Sequence, residues 1–183
     1  MPFILRTPIL IALAVAVAGP DRAPVASVTA APAREDLAPY APEDLECLAL
    51  NIYHEARSEP EEGRLAVAAV TLNRVESKRF PDSVCDVVKQ GGQRLNRCQF
   101  SWWCDGKRDT PTETTAWEDA LRVSRMSLLG FAEDPTDGAL YYHADYVRPR
   151  WSKSFQRTAE IGNHLFYRPR PRPAPALQVA SAD

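Results

Sequence analysis

Nothing in this chain supplies a dominant basic field. Its 22 Lys and Arg stand against 24 Asp and Glu, and a formal net charge of −2 argues against nucleic acid as the partner. Long apolar runs are also missing: the run Ile9 to Ala18 is too short for a comfortable bilayer-spanning helix. There is no Cys-x-x-Cys spacing, which argues against a structural zinc site. Histidine is scarce, with three in 183 residues, and His54-Glu55 lacks the second His four residues on that the helical metalloprotease pattern requires. Glycine is outnumbered by proline, eight to sixteen, but the prolines gather at the two ends. The ends therefore read as tails and the middle as one globular domain.

Arg6 precedes the apolar run, which finishes Ala16-Val17-Ala18, an A-x-A pattern. Residues 1–18 read as a secretory signal with cleavage near Ala18. The rival is an uncleaved inner-membrane anchor, which would associate the protein with the membrane through this segment. Residues 19–41 are Ala, Pro and acidic residues without periodicity, as expected of a disordered linker. Export gives the four cysteines a meaning, because an even count in an oxidising compartment defaults to two disulfides. Three connectivities exist. Cys98–Cys104 closes the shorter loop, which would leave Cys47–Cys85 to tie the first helix to a later segment of the domain.

The most informative stretch runs from Glu46 to Pro60. Leu45, Leu48, Ala49, Ile52, Tyr53 and Ala56 recur at helical spacing, and Pro42 with Glu43 and Asp44 suits the start of that helix. Glu55 falls on the flank of the apolar stripe. A carboxylate there is poorly solvated, which raises its pKa and suits it to carry a proton near neutral pH. Taken alone, such a residue is more often an ordinary surface Glu near a helix C-terminus.

Ser58 and Glu61 form a capping-box pattern that would open a second helix reaching Val75, apolar nearly all round and therefore central. Glu59, at the junction, reads as serving that helix start. Asn73 and Arg74 at its far end read as packing or capping residues. Asp82 or Ser83 caps a short third helix reaching Val88. Phe100, Trp102 and Trp103 lie between Cys98 and Cys104, and three aromatics in one small loop cannot all pack inward. Trp102 is the one expected to be exposed, as a platform for sugar rings. A further helix spans Glu113 to Leu129. Short strands follow at 139–143, 155–158 and 164–167, with Ile161-Gly162-Asn163 as a turn. The fold class is α+β, a helical body with a small antiparallel sheet. From Arg168 onward the Arg-Pro repeat reads as an extended basic tail, 168–183, unable to enter sheet or helix.

These blocks together resemble the SleB-type cell wall hydrolases, which include the spore cortex-lytic enzymes and related envelope proteins of Gram-negative bacteria. The resemblance covers residues 44–167. It rests on Cys47-Leu48-Ala49, on His54-Glu55-Ala56-Arg57-Ser58-Glu59-Pro60, and on Gly63 to Val75 with its Leu72-Asn73-Arg74-Val75 end. Phe80-Pro81, Val84-Cys85 and Cys98-Gln99-Phe100-Ser101-Trp102 come next in the same order. Leu140-Tyr141-Tyr142-His143-Ala144, Trp151 and Ile161-Gly162-Asn163-His164-Leu165-Phe166-Tyr167 complete it. Ser58 departs from the Gly common in the family at that position.

The resemblance implies a lysozyme-like core over 42–167 that cuts the glycan strand of peptidoglycan, with Glu55 matching the catalytic acid. A protonated Glu55 would donate to the oxygen between N-acetylmuramate and N-acetylglucosamine. It would then take the proton of the muramate 6-hydroxyl, closing a 1,6-anhydro ring. That chemistry needs one carboxylic acid of raised pKa and no carboxylate nucleophile. Phe100, Trp102 and one of Tyr141 or Tyr142 are the expected sugar-binding residues, with strand alternation turning only one tyrosine inward. A two-carboxylate hydrolase would add Glu59 or Asp105. A zinc amidase cutting the stem peptide would recruit His54, His143 and His164 with Glu55. Adjacent positions 54 and 55 point roughly 100° apart on a helix, which disfavours joint ligation. A non-catalytic peptidoglycan-binding protein is the third class. The reading is an exported, periplasmic or envelope-located monomer that needs no cofactor.

Overall fold

The computed structural model describes residues 40–171 other than 93. The segment expected to be a signal, most of the expected linker and residues 172–183 of the expected tail lie outside these. Helix α1, Pro42–Ala56, starts where proline and acidic residues suit a helix N-terminus. Asp44 is buried and joins two helix starts: one carboxylate oxygen accepts from Ala41 N at 3.1 Å, the other from Cys85 N at 3.0 Å. Cys85 belongs to α3, Val84–Val88, and is bonded to Cys47 of α1, with Cα atoms 5.2 Å apart. Ser83 caps α3 by accepting from Asp86 N.

Helix α2, Glu61–Glu76, is apolar on two faces because it has two neighbours. Val67 and Ala68 join Leu48, Ile52, Val84, Val87 and Val123 in the helical core. Ala66 and Val70 turn the other way and pack against Ala139, Ile161 and Phe166 of the sheet side. Burying one such valine or phenylalanine stabilises by about 1.5–3 kcal/mol. The predicted capping box is not formed. Pro60 occupies the N-cap position without a side-chain bond, Ser58 is exposed, and Glu61 instead pairs with Arg122 at 2.9 Å.

Helix α4, Thr114–Leu128, has no cap of its own. From α1 the hydroxyl of Tyr53 anchors the segment leading into it, accepting from Thr112 N and Glu113 N at 3.1 and 3.2 Å just before the first helical turn. Ser124 of α4 donates to Leu45 O at 2.8 Å, so the two helices are tied at both ends. The sheet is antiparallel in the order β1-β3-β2, from Tyr141–Ala144, His164–Pro169 and Phe155–Ile161. Tyr142 faces Phe166 in the register, and the β2–β3 pairing slips between Arg157 and Ala159. Strand β3 extends past the expected end of the domain. Arg168 pairs with Gln156 and Pro169 with Phe155; the β1 pairing stops at Tyr167, so proline sits where β3 has a neighbour on one side only.

Candidate active site

Glu55 lies one residue before the end of α1, half-buried, and its side chain forms part of a cavity of about 380 Å³. His54, Arg74, Phe100, Tyr142, His143 and His164 are among the other groups around it. Among the described residues, Glu55 is the single carboxylate lining that cavity. Burial pushes its carboxyl above the ordinary value, against a hydrogen bond from Tyr142 and the positive charge of Arg74, which both pull it down. The Tyr142 hydroxyl donates to Glu55 Oε2 at 3.0 Å. Burial, reinforced by the Glu55 charge, holds the phenol of Tyr142 well above its ordinary range, so it remains a donor.

Arg74 is a fully buried cation, 2% exposed, reached along the Ala66–Val70 row of α2 at the next i+4 position. Its Nε donates to Leu140 O at 2.8 Å, and its guanidinium lies over Phe80 and Phe100, 5.1 Å from each ring centre. Burial lowers its pKa, opposed by Tyr142, Tyr141 and Glu55. An arginine stays charged in such a setting, which places a fixed positive charge behind Glu55. The packing or capping role expected of Arg74 is thus only part of its place. Its position in an otherwise apolar i, i+4 row was the signal that could have marked it.

The loop carrying Cys98 and Cys104, whose Cα atoms are 6.0 Å apart and which are bonded, folds differently from expectation. Trp102 is not an exposed platform. It is 7% exposed, stacked on His54 with centroids 4.5 Å apart, and its indole N–H donates to Asn51 Oδ1 at 3.1 Å. Asn51 is itself fully buried and donates to Thr71 Oγ1, which donates to Val67 O. Phe100 lines the cavity but is only 3% exposed, while Trp103 is half-buried. The hydroxyl and amide side chains already in the helices left the indole N–H an inward partner, and that decided the orientation. Neither Asn51 nor this chain of bonds is visible in periodicity.

Glu59 and Asp105 are not brought to the cleft. Glu59 is buried, and its two oxygens accept from Asn163 N and Asn163 Nδ2 at 3.0 and 2.9 Å, pinning the β2–β3 turn. Gly162 in that turn has φ +55°, and a Cβ there would run into Glu59 Oε2. The carboxylate of Glu59 therefore serves the hairpin rather than the start of α2. Asp105 accepts from Lys107 N within its own turn. The three histidines have separate engagements. His54 Nε2 meets Asp109 O at 2.9 Å, and His143 meets Ala144 O and Tyr167 Oη at 2.8 and 3.1 Å. His164 packs edge-on against Tyr142, and burial depresses its pKa. Among the described residues no three His, Cys, Asp or Glu converge as a metal-ligand set.

Strand alternation separates the two tyrosines. Tyr142 takes Glu55, whereas Tyr141 packs with Phe155 at 4.6 Å and with Trp151 at 5.7 Å. Tyr146, in the loop after β1, is 82% exposed at the rim of the Glu55 cavity.

The family described as Cell Wall Hydrolase matches residues 58–167, beginning three residues after Glu55. The spore cortex-lytic enzyme of Halalkalibacterium halodurans is 37% identical over 129 residues, 69% of this chain and 35% of that protein. That of Bacillus subtilis strain 168 is 36% identical over 124 residues, 67% of this chain and 37% of that protein. The chain thus spans little more than a third of the length of these two relatives. Among solved structures, the catalytic domain of the Bacillus cereus SleB protein superposes with TM-score 0.55 at 32% identity, covering 70% of this chain and 92% of that one. The catalytic domain of the germination-specific lytic transglycosylase SleB from Bacillus anthracis gives 0.56 at 32%, covering 72% and 98%.

Proposed function

Because the chain belongs to the cell wall hydrolase family, we propose that it cleaves the glycan strand of peptidoglycan as a lytic transglycosylase, with Glu55 as acid and then base. The observation that carries this is the solitary, half-buried Glu55 hydrogen-bonded by Tyr142 in the cavity. A protonated Glu55 donates to the glycosidic oxygen as the bond to muramate C1 breaks. Tyr142 O–H and the Arg74 charge then favour the carboxylate left behind, which accepts the proton of the muramate 6-hydroxyl as that oxygen closes on C1. Donor and acceptor steps use one group, so no second carboxylate is needed. The peptidoglycan substrate places this work outside the cytoplasm. The reading is a periplasmic or envelope-located monomer, exported or membrane-associated through residues 1–18, and it assigns no cofactor to the reaction.

The test is digestion of purified peptidoglycan by the oxidised protein and by Glu55→Gln, with products identified by mass spectrometry. Anhydro-muramate ends made by the parent and lost in the variant are the expected result. Reducing muramate ends would move the reaction to hydrolysis. Free stem peptides, or activity surviving in Glu55→Gln, would overturn the assignment and return attention to the histidines.

A further inference from the structure

Charge is segregated along the chain. Residues 145–171 hold six cations, Arg148, Arg150, Lys153, Arg157, Arg168 and Arg170, against two acids, although the whole chain carries −2. Arg157 pairs with Glu160 and Arg168 with Asp137, while the other four form no ion pair among the described residues. Three of the six meet at a cavity of about 570 Å³, which Lys153, Arg157 and Arg170 line together with Phe155 and Tyr167 and without a carboxylate. That size admits a phosphate headgroup, lying within the roughly 300–1,000 Å³ of small-ligand sites. Nearby, the loop after β1 presents Tyr146 and Val147 to water, 82% and 41% exposed. The turn that carries them is tied down: Asp145 N donates to Asn163 O and Val147 N to Ala144 O, both at 2.9 Å. Arg148 and Arg150 follow, also exposed. Val147 and Phe155 line one cavity, and Phe155 and the three cations line the next, so the apolar tip and the cationic pocket adjoin.

A dissolved anion would use the cations alone, and a carbohydrate or peptide polymer would leave the two apolar side chains in water. An aromatic and an aliphatic side chain beside arginines match a bilayer interface, where rings sit at headgroup depth and cations meet lipid phosphates. We propose that this face docks the domain on an anionic phospholipid surface. Tyr146 and Val147 enter the headgroup layer, and Lys153, Arg157 and Arg170 hold lipid phosphates. This docking is separate from any anchoring by residues 1–18 and does not depend on the chemistry assigned to Glu55. Because Tyr146 borders the Glu55 cavity, docking holds that cleft beside the bilayer.

The test sediments full-length oxidised protein with vesicles of phosphatidylcholine alone and of phosphatidylcholine mixed with phosphatidylglycerol. Binding common to both vesicles measures other segments, and the excess on the anionic vesicles measures this face. One cation near such a surface is worth about five-fold in affinity, so Arg150→Gln/Lys153→Gln/Arg170→Gln should lose about a hundred-fold of the excess. All three side chains are exposed, and the salt arm needs no variant. In the parent, about 1 M salt, where the Debye length is near 3 Å, should abolish the excess. Where the parent sediments completely with both vesicles, hydrogen exchange decides: amides of residues 145–157 should be slowed by anionic vesicles in the parent and not in the triple variant. No excess, an excess kept by a triple variant that melts like the parent, or protection confined to other segments overturns the proposal. So does a triple variant that loses adhesion to purified peptidoglycan but keeps its vesicle binding, which would assign the face to wall carboxylates.

Discussion

Replacing Trp102 by Phe separates a structural from a sugar-binding role. The indole N–H donates to Asn51 Oδ1 at 3.1 Å, and Asn51 has no exposed surface, so the variant strands a buried acceptor. An unpaired buried acceptor costs about 1–3 kcal/mol. Shrinking the bicyclic ring to a phenyl ring removes further packing against His54, on the order of 1 kcal/mol. The total, about 2–4 kcal/mol, corresponds for a domain of this size to a fall in Tm of roughly 6–15 °C. Asn51→Leu alone strands the indole donor and breaks the bond to Thr71. The double variant strands neither partner of the indole bond, and its loss should be smaller than the sum of the singles. Urea unfolding gives the stabilities, and KM on soluble glycan strands gives the binding. A Trp102→Phe protein that melts with the parent, within about 1 °C, yet shows a raised KM, would refute the structural role.

Three other outcomes are expected from the site and the disulfides. In Tyr142→Phe the bond that favours ionised Glu55 is gone, so the alkaline limb of the pH profile of kcat/KM should move to higher pH; an unmoved limb contradicts the geometry. The raised pKa of Glu55 means that the native state keeps a proton that the unfolded chain releases, so ionisation costs stability as pH rises above the ordinary carboxylate range. Glu55→Gln should accordingly raise Tm at neutral pH, with the gain vanishing in acid below that range, and a gain confined to acid would reverse the sign. Removing the Cys47–Cys85 bond, which joins residues 38 apart, should cost about 4 kcal/mol by the loss of loop closure, read as a lowered urea midpoint in Cys47→Ala/Cys85→Ala.

Much of the helical body was legible because burial there follows period. The stripe from Leu45 to Ala56 and the all-round apolar α2 both appear as expected, the latter because it separates two cores. Boundaries depended on single contacts from distant residues. Tyr53 anchors the approach to α4 from another helix, and Pro60 displaced Ser58 as the start of α2. Glu55 could be found because it flanks an apolar stripe in a family motif. Its partners Tyr142 and Arg74 are 87 and 19 positions away, and only the folded chain shows that they meet. The reading of Trp102 failed because counting aromatics says nothing of a buried amide waiting for an N–H.

Tyr53, His54 and Glu55 are consecutive, yet they engage three separate parts of the molecule: the start of α4, the backbone at Asp109, and the sheet through Tyr142. Helix α1 therefore works as a keyed axle. A rotation or slip by one residue would withdraw all three teeth together, so the geometry has no half-engaged setting. Heat should abolish the activity proposed for Glu55 and melt the domain along one curve, leaving no loosened species that retains that activity.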